Sequence, residues 1–143
     1  MVHLVIGDYL SVYSYQYGME SLNTELMECI NELRFRSIGI VDVAIVSLEG
    51  LPLVSLVLER VEETRFAAMT AAMLSLGERV STELNKGLLK KIFVEGEQGY
   101  IISMQAGENA VLTVSATTDT KLGLLFLDMQ RATEKIAKIL SYH

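Results

Sequence analysis

Few residues of this chain combine the types and spacing that catalysis requires. Histidines stand only at positions 3 and 143, and Cys29 is the single cysteine, so no second ligand or base lies close to any of them in sequence. The chain has no DxD pair and neither GxxxxGK nor GxGxxG, so the usual metal and phosphate motifs are missing. Gly96 and Gly99 enclose two polar residues, as glycines do in a hairpin turn. We therefore expect no enzyme, no cofactor and no metal site, and we predict that Cys29 is a small core residue on a helix.

Asp42 is the one acidic residue set inside a β-branched run, VDVAIVSL at residues 41–48. It is either a buried acid with a shifted pKa or an exposed residue near a strand end, and we expect the exposed position.

Composition places the chain among single-domain proteins of 143 residues that can bury a sizeable core. The net charge is -6, and the bases are scattered apart from Lys90 and Lys91, which argues against nucleic acid as a partner. Half the residues are hydrophobic and the mean hydropathy is +0.34. No apolar run reaches the roughly 18 residues of a membrane span, so we expect no membrane insertion and assign the excess apolar surface to subunit contacts. A single cysteine fits a reducing compartment, and we expect a cytoplasmic protein.

Residues 1–18, MVHLVIGDYLSVYSYQYG, differ from the rest and are predicted to form an N-terminal extension to a domain at residues 19–143. They hold four of the six tyrosines. This leader is an added edge strand, a partner-binding arm, a disordered tail, or a stretch upstream of the true start at Met19. It lacks the charged start and cleavage site of a secretory signal peptide.

The remaining chain predicts the order helix, strand, strand, helix, three strands, helix. Helical spacing covers residues 20–36, 64–85 and 121–140, and strand patterns cover 41–48, 51–58, 88–95, 99–106 and 110–116. The only proline, Pro52, heads the second strand, which should therefore border the sheet. The fold class is α+β.

The helix at residues 64–85 is apolar or small on two faces. One face is a stripe of large residues, which we expect to lie on the core: Phe66, Met69, Met73, Leu76, Val80 and Leu84. The other face is small and neutral and carries Ala67, Ala68, Ala71 and Ser75. Either alanine serves helix propensity alone there, or a second partner packs on this face; we favour a second copy of the chain.

Four segments resemble those of roadblock-type domains, the family of roadblock dynein light chains, Ragulator subunits and prokaryotic proteins encoded beside Ras-like GTPases. They are AIVSLEGLPLVS at 44–55, RFAAMTAAMLSLGERV at 65–80, VEGEQGYIISMQAGENAVLTV at 94–114 and LGLLFLDMQRATEKI at 122–136. The resemblance implies a three-layer, profilin-like α/β/α sandwich. Its five-stranded, mostly antiparallel sheet has the order 2-1-5-4-3, with the middle helix on one face and the terminal helices on the other.

Similar proteins dimerise by abutting their third strands and packing their middle helices together. For this chain the resemblance implies a dimer interface of Ala67, Ala68, Ala71, Leu74, Ser75, Leu89, Lys91 and Phe93. Lys90 and Lys91 on the third strand also fit a role in guarding an edge against indiscriminate pairing.

The resemblance further implies a non-enzymatic homodimeric adaptor or regulator that binds a small Ras-like GTPase. An arginine finger is then a role to consider for Arg60, Arg65 or Arg79, although no motif selects one and a solvated or dimer-flanking arginine is the favoured reading of each. Two alternatives stay open: a structural or targeting platform for another protein, and a small-ligand-sensing module.

Overall fold

The computed structural model describes residues 20–57 and 62–142. The leader and Arg60 lie outside these ranges. The described elements are α1 (Glu20–Arg36), β1 (Ile40–Ser47), β2 (Pro52–Val57), α2 (Glu63–Glu83), β3 (Ile92–Gly96), β4 (Gly99–Gln105), β5 (Ala110–Ala116) and α3 (Leu122–Tyr142). The five strands form one sheet in the order β2-β1-β5-β4-β3, and every neighbouring pair is antiparallel. The predicted α+β class, element order and strand order are confirmed.

The centre of the sheet joins two strands that are distant in sequence. β1 pairs with β5 from Ile40 opposite Ala116 to Ser47 opposite Ala110. β2 closes one edge, with Pro52 opposite Val46 beside a register shift. An edge strand tolerates the missing N–H of proline, so the prediction for Pro52 is confirmed.

The larger core lies between the sheet and the pair α1 and α3. Side chains that point to this face include Val43, Ile45, Leu112 and Val114, all fully buried. The α1 positions predicted from helical spacing are buried as well, Cys29 among them: Leu22, Leu26, Cys29, Ile30 and Leu33. Burial of such apolar side chains is the main source of stability for this layer.

α2 covers the opposite face of the sheet through a smaller and more polar layer. A cluster of Ala44, Val46, Phe66 and Ala67 packs there, next to three buried hydroxyls on Thr70, Ser103 and Thr113. Asp42 lies on the same face with only 1% of its surface exposed, so the expected exposed position was wrong. The third residue of β1 is already covered by the layer above it.

The assignment of the two faces of α2 was also wrong, apart from Phe66, which is buried as expected. The large residues Met69, Leu76 and Val80 are 58%, 62% and 49% exposed, whereas Ala67 and Leu74 are buried. The reason is the surface beneath the helix, which consists of small and hydroxyl-bearing side chains and admits close approach by alanine. The turn after β1 also fills space here, because a Cβ at Gly50 would lie 3.3 Å from Cα of Ala68 and from Cβ of Ala71.

β3 begins at Ile92, four residues later than predicted. After α2 the chain turns through Asn85, which has a left-handed φ of 59°, and Ser81 Oγ donates to the carbonyl of Gly87 at 2.6 Å. The following Leu88 is 94% exposed. The predicted strand therefore began too early, because the apolar residues at its start belong to the connection between α2 and β3.

Candidate interaction site

An exposed apolar surface runs along α2 and the edge strand β3. We call it the α2–β3 surface; it consists of Met69, Met73, Leu76, Val80, Leu89 and Val94. Among the described strands β3 hydrogen-bonds only to β4, so within this part of the chain its other side presents unpaired backbone groups. Two grooves lie along the helix, one of about 520 Å³ at its C-terminal half and one of about 600 Å³ at its N-terminal half. Both are lined by Met73 and Val94, so the two grooves adjoin.

Gly77 sets the depth of the C-terminal groove. A Cβ at this position would overlap Cδ1 of Ile92 and would lie 3.2 Å from Cδ2 of Leu89. The missing side chain therefore allows the helix to approach the strand closely, which joins the two apolar elements into one surface.

The N-terminal groove has polar groups at its base and rim. Asp42 and Ser115 contribute to its floor, and Arg65 and Glu62 stand at its opening. Arg65 is exposed, and it is the one described arginine of the three candidates that lines this groove.

Lys91 and Phe93 turn toward the other face of the sheet. Phe93 stacks on Tyr100 with ring centroids 5.5 Å apart and meets Phe126 of α3 edge-on at 5.8 Å. Lys91 Nζ lies 4.2 Å from the centroid of the Phe126 ring. A cation over an aromatic face is attracted by the ring quadrupole, so Lys91 folds back onto its own domain rather than projecting from the edge.

The residues predicted for a dimer interface are therefore distributed unevenly. Ala67 and Leu74 lie on the buried face of α2 within one copy of the chain. Ala71 is half-buried against the turn at Gly50. Ala68 and Ser75 are exposed. Met69, Leu76, Val80 and Val94 were not predicted to be surface residues. The uncharged stretch between Arg65 and Glu78 did indicate packing on both sides of the helix.

The described residues contain no group of three or more metal-binding side chains. Burial raises the pKa of the Cys29 thiol, with a smaller opposing effect from Lys135. The hydrogen bond from Lys135 to Glu32 raises the pKa of Lys135.

Arg79 forms an exposed ion pair with Glu83 at 3.3 Å. Among the helices at residues 20–57 and 62–142, none has the length and apolar character to cross a bilayer.

Comparison with known proteins gives agreement in sequence and in fold. The family model of the Roadblock/LC7 domain matches residues 27–116. An uncharacterised protein of Methanocaldococcus jannaschii is 34% identical over 98 residues, which are 68% of this chain and 85% of the relative. The fold is similar to that of Myxococcus xanthus MglB, with a TM-score of 0.77 and 21% identity over 84% of this chain and 90% of that one. MglB with a tetrameric arrangement has a TM-score of 0.77 and 18% identity, covering 82% and 89%.

Proposed function

The chain belongs to the Roadblock/LC7 family, and we propose that it acts as a non-enzymatic homodimeric adaptor or regulator of a small Ras-like GTPase. The observation that carries the proposal is the α2–β3 surface. An exposed helix stripe beside an open strand edge is the arrangement that two copies of one chain can cover together by a two-fold axis.

Three features support self-association, and the first two lie on this surface. Met69, Leu76 and Val80 would be costly to leave in water, since apolar burial contributes about 25 cal/mol per Å². The open side of β3 would gain backbone hydrogen bonds from a second β3. MglB, which has a similar fold, is also known in a tetrameric arrangement.

Replacement of Leu76 by glutamate tests the dimer. Each copy would bring one carboxylate into the interface, and an unpaired buried charge costs about 3 kcal/mol or more, so the dimer should weaken by at least about a hundredfold. Sedimentation analysis over a dilution series measures this change. Ala71→Glu is a poorer test, because Ala71 packs against Gly50 inside the monomer.

Leu124→Glu is the matched control. Leu124 lies on α3 and is 60% exposed against 62% for Leu76, so the substitution has the same chemistry at a site outside the α2–β3 surface. A monomeric wild type, or equal effects of the two substitutions, would refute the proposed interface.

GTPase binding is tested with a small Ras-like GTPase from the same genome, loaded either with GDP or with a non-hydrolysable GTP analogue. We expect the dimer to bind one nucleotide state more tightly in calorimetry. Arg65→Ala should weaken binding or slow stimulated hydrolysis, whereas Arg79→Ala, which removes an arginine already paired with Glu83, should change neither. Absence of binding in both nucleotide states would favour the alternative of a platform for another kind of protein.

A small-ligand module is the second candidate, and one observation favours it. The groove of about 600 Å³ combines apolar walls with the buried Asp42 at its base, which is typical of ligand sites. Under the main proposal the second copy covers this groove, so dimer formation and ligand entry would compete.

A further inference from the structure

A second exposed apolar region lies on the opposite side of the molecule, in the groove between α1 and α3. We call it the α1–α3 groove. It has two adjoining parts of about 70 and 230 Å³, both lined by Arg36 and Asp128. Ile38 and Leu124 line the larger part. Since a cavity of about 150 Å³ accommodates a benzene ring, the larger part has room for one aromatic or branched side chain.

The turn that carries Ile38 is held firmly on both sides. The amide of Ser37 donates to the carbonyl of Leu33 at 3.0 Å, and the amide of Thr117 donates to the carbonyl of Gly39 at 2.8 Å. The hydroxyl of Ser37 also donates to Asp128 Oδ2 on α3 at 2.7 Å. Gly39 has a φ of +101°, which other residues rarely adopt.

Ile38 is nevertheless 89% exposed, and Leu124 beside it is 60% exposed. A well-anchored backbone with an exposed large apolar side chain gives the fold no burial energy at that position. The same arrangement is favourable for binding, because little conformational entropy is lost when a partner covers a side chain on a rigid turn. Anchor residues of protein interfaces have these properties.

The charges around the groove indicate the chemistry of the partner. The acidic side chains at its walls are already engaged: Glu32 with Arg36 and Lys135, Asp128 with Ser37, and Asp119 with Thr117. Lys121 and Arg131 line the groove without an ion pair among the residues that the structure describes. Four basic and three acidic side chains line the two parts, so the groove has a net charge of +1 in a chain with net charge -6, and it lies beside an apolar pocket.

We propose that the α1–α3 groove is a docking site for an acidic segment of another protein that carries one large apolar side chain between carboxylates. The apolar side chain enters the pocket between Ile38 and Leu124, and the carboxylates pair with Lys121 and Arg131. The site lies apart from the α2–β3 surface, so it does not depend on the proposed dimer. A dimer would present two such sites.

The test is selection from a phage library of random dodecapeptides against the full chain, with the Ile38→Asp chain in solution as competitor. Enriched peptides should combine a large apolar residue with Asp or Glu. Fluorescence anisotropy should then show binding that is about tenfold or more weaker for Ile38→Asp and about threefold weaker for Lys121→Glu or Arg131→Glu. Raising the ionic strength from about 0.05 to about 0.5 M should also weaken binding.

Two variants serve as controls. Lys138→Glu makes the same charge change on α3, the helix that carries Arg131, but outside the groove, and it should bind like wild type. Leu76→Glu should likewise leave peptide binding unchanged, which separates this site from the proposed dimer. Circular dichroism of every variant confirms that it is folded.

Several outcomes would overturn the proposal. They are enrichment of basic peptides, equal binding to wild type and Ile38→Asp, and loss of binding in Leu76→Glu. A fall in solution mass caused by Ile38→Asp would identify the occupant as a second copy. Displacement of the selected peptide by a synthetic peptide of residues 1–18 would identify it as the leader.

Discussion

The three hydroxyls beneath α2 allow a quantitative test of how this layer is held together. Ser103 Oγ and Thr113 Oγ1 lie 2.8 Å apart, and Thr70 Oγ1 lies 3.3 Å from Thr113 Oγ1. All three side chains are fully buried. Thr113→Val keeps the shape of the side chain and removes the hydroxyl at the centre of the group.

The expected cost follows from what each remaining hydroxyl can do. Thr70 still donates to the carbonyl of Phe66 at 2.8 Å, so it stays satisfied. Ser103 loses its partner in a site with no access to water, and an unsatisfied buried hydroxyl costs about 1–3 kcal/mol. We therefore expect Thr113→Val to lower the free energy of unfolding by about 1–3 kcal/mol.

The double variant with Ser103→Ala should recover part of this loss, because both polar partners are then absent. A coupling energy of about 1 kcal/mol between the two positions is expected. Urea unfolding measures the free energy of unfolding of wild type, Thr113→Val, Ser103→Ala and the double variant. All four are measured at one protein concentration, because self-association would otherwise change the apparent stability. A change below about 0.3 kcal/mol for Thr113→Val, or additive effects of the two substitutions, would refute the reasoning.

Two further predictions concern Gly39 and Cys29. Gly39→Ala should lower the free energy of unfolding by about 1–3 kcal/mol, because alanine disfavours the φ of +101° and its Cβ would overlap Oγ1 of Thr120. Thermal unfolding measures this change. Gly123→Ala is the control and should be neutral or stabilising, since its Cβ meets nothing within 4 Å. The raised pKa of Cys29 keeps the folded thiol neutral where the unfolded thiol ionises. The stability that the neutral Cys29 thiol contributes is therefore complete below its ordinary pKa of 9.0, and it is lost as the pH rises through the raised pKa of the folded state. The stability difference between wild type and Cys29→Ala should narrow above about pH 9 in urea titrations, and a difference independent of pH would contradict this account.

The sequence predicted the architecture well because the elements differ clearly in period and are separated by turns. β1 and β5 are β-branched runs, and α1 and α3 have single apolar faces, so each pattern admits one reading. α2 does not. When a helix is apolar on both faces, its own residues do not say which face is inside, and the surface below decides. Here the buried residues of α2 are Phe66, Ala67, Thr70 and Leu74, which belong to neither predicted face alone.

The candidate surfaces were less predictable for the same reason. Met69, Leu76 and Val80 have the spacing of core residues, and only the position of the sheet makes them surface residues. Asp42 was misplaced because a strand-end position in sequence does not reveal what covers it. Ile38 and Lys121 line one groove although they are far apart in the chain, because α1 and α3 pack side by side.

The central position of β5 has a consequence for how the chain acquires its structure. Paired residues of β1 and β5 are separated by 63 positions at Ser47 with Ala110 and by 76 at Ile40 with Ala116. At a synthesis rate of about 5–20 residues per second, β1 waits several seconds for its central partner. During that time Val43 and Ile45, fully buried in the finished sheet, have only the hairpin with β2 and contacts with α1 to shield them. The nascent chain is therefore most exposed to aggregation before β5 emerges.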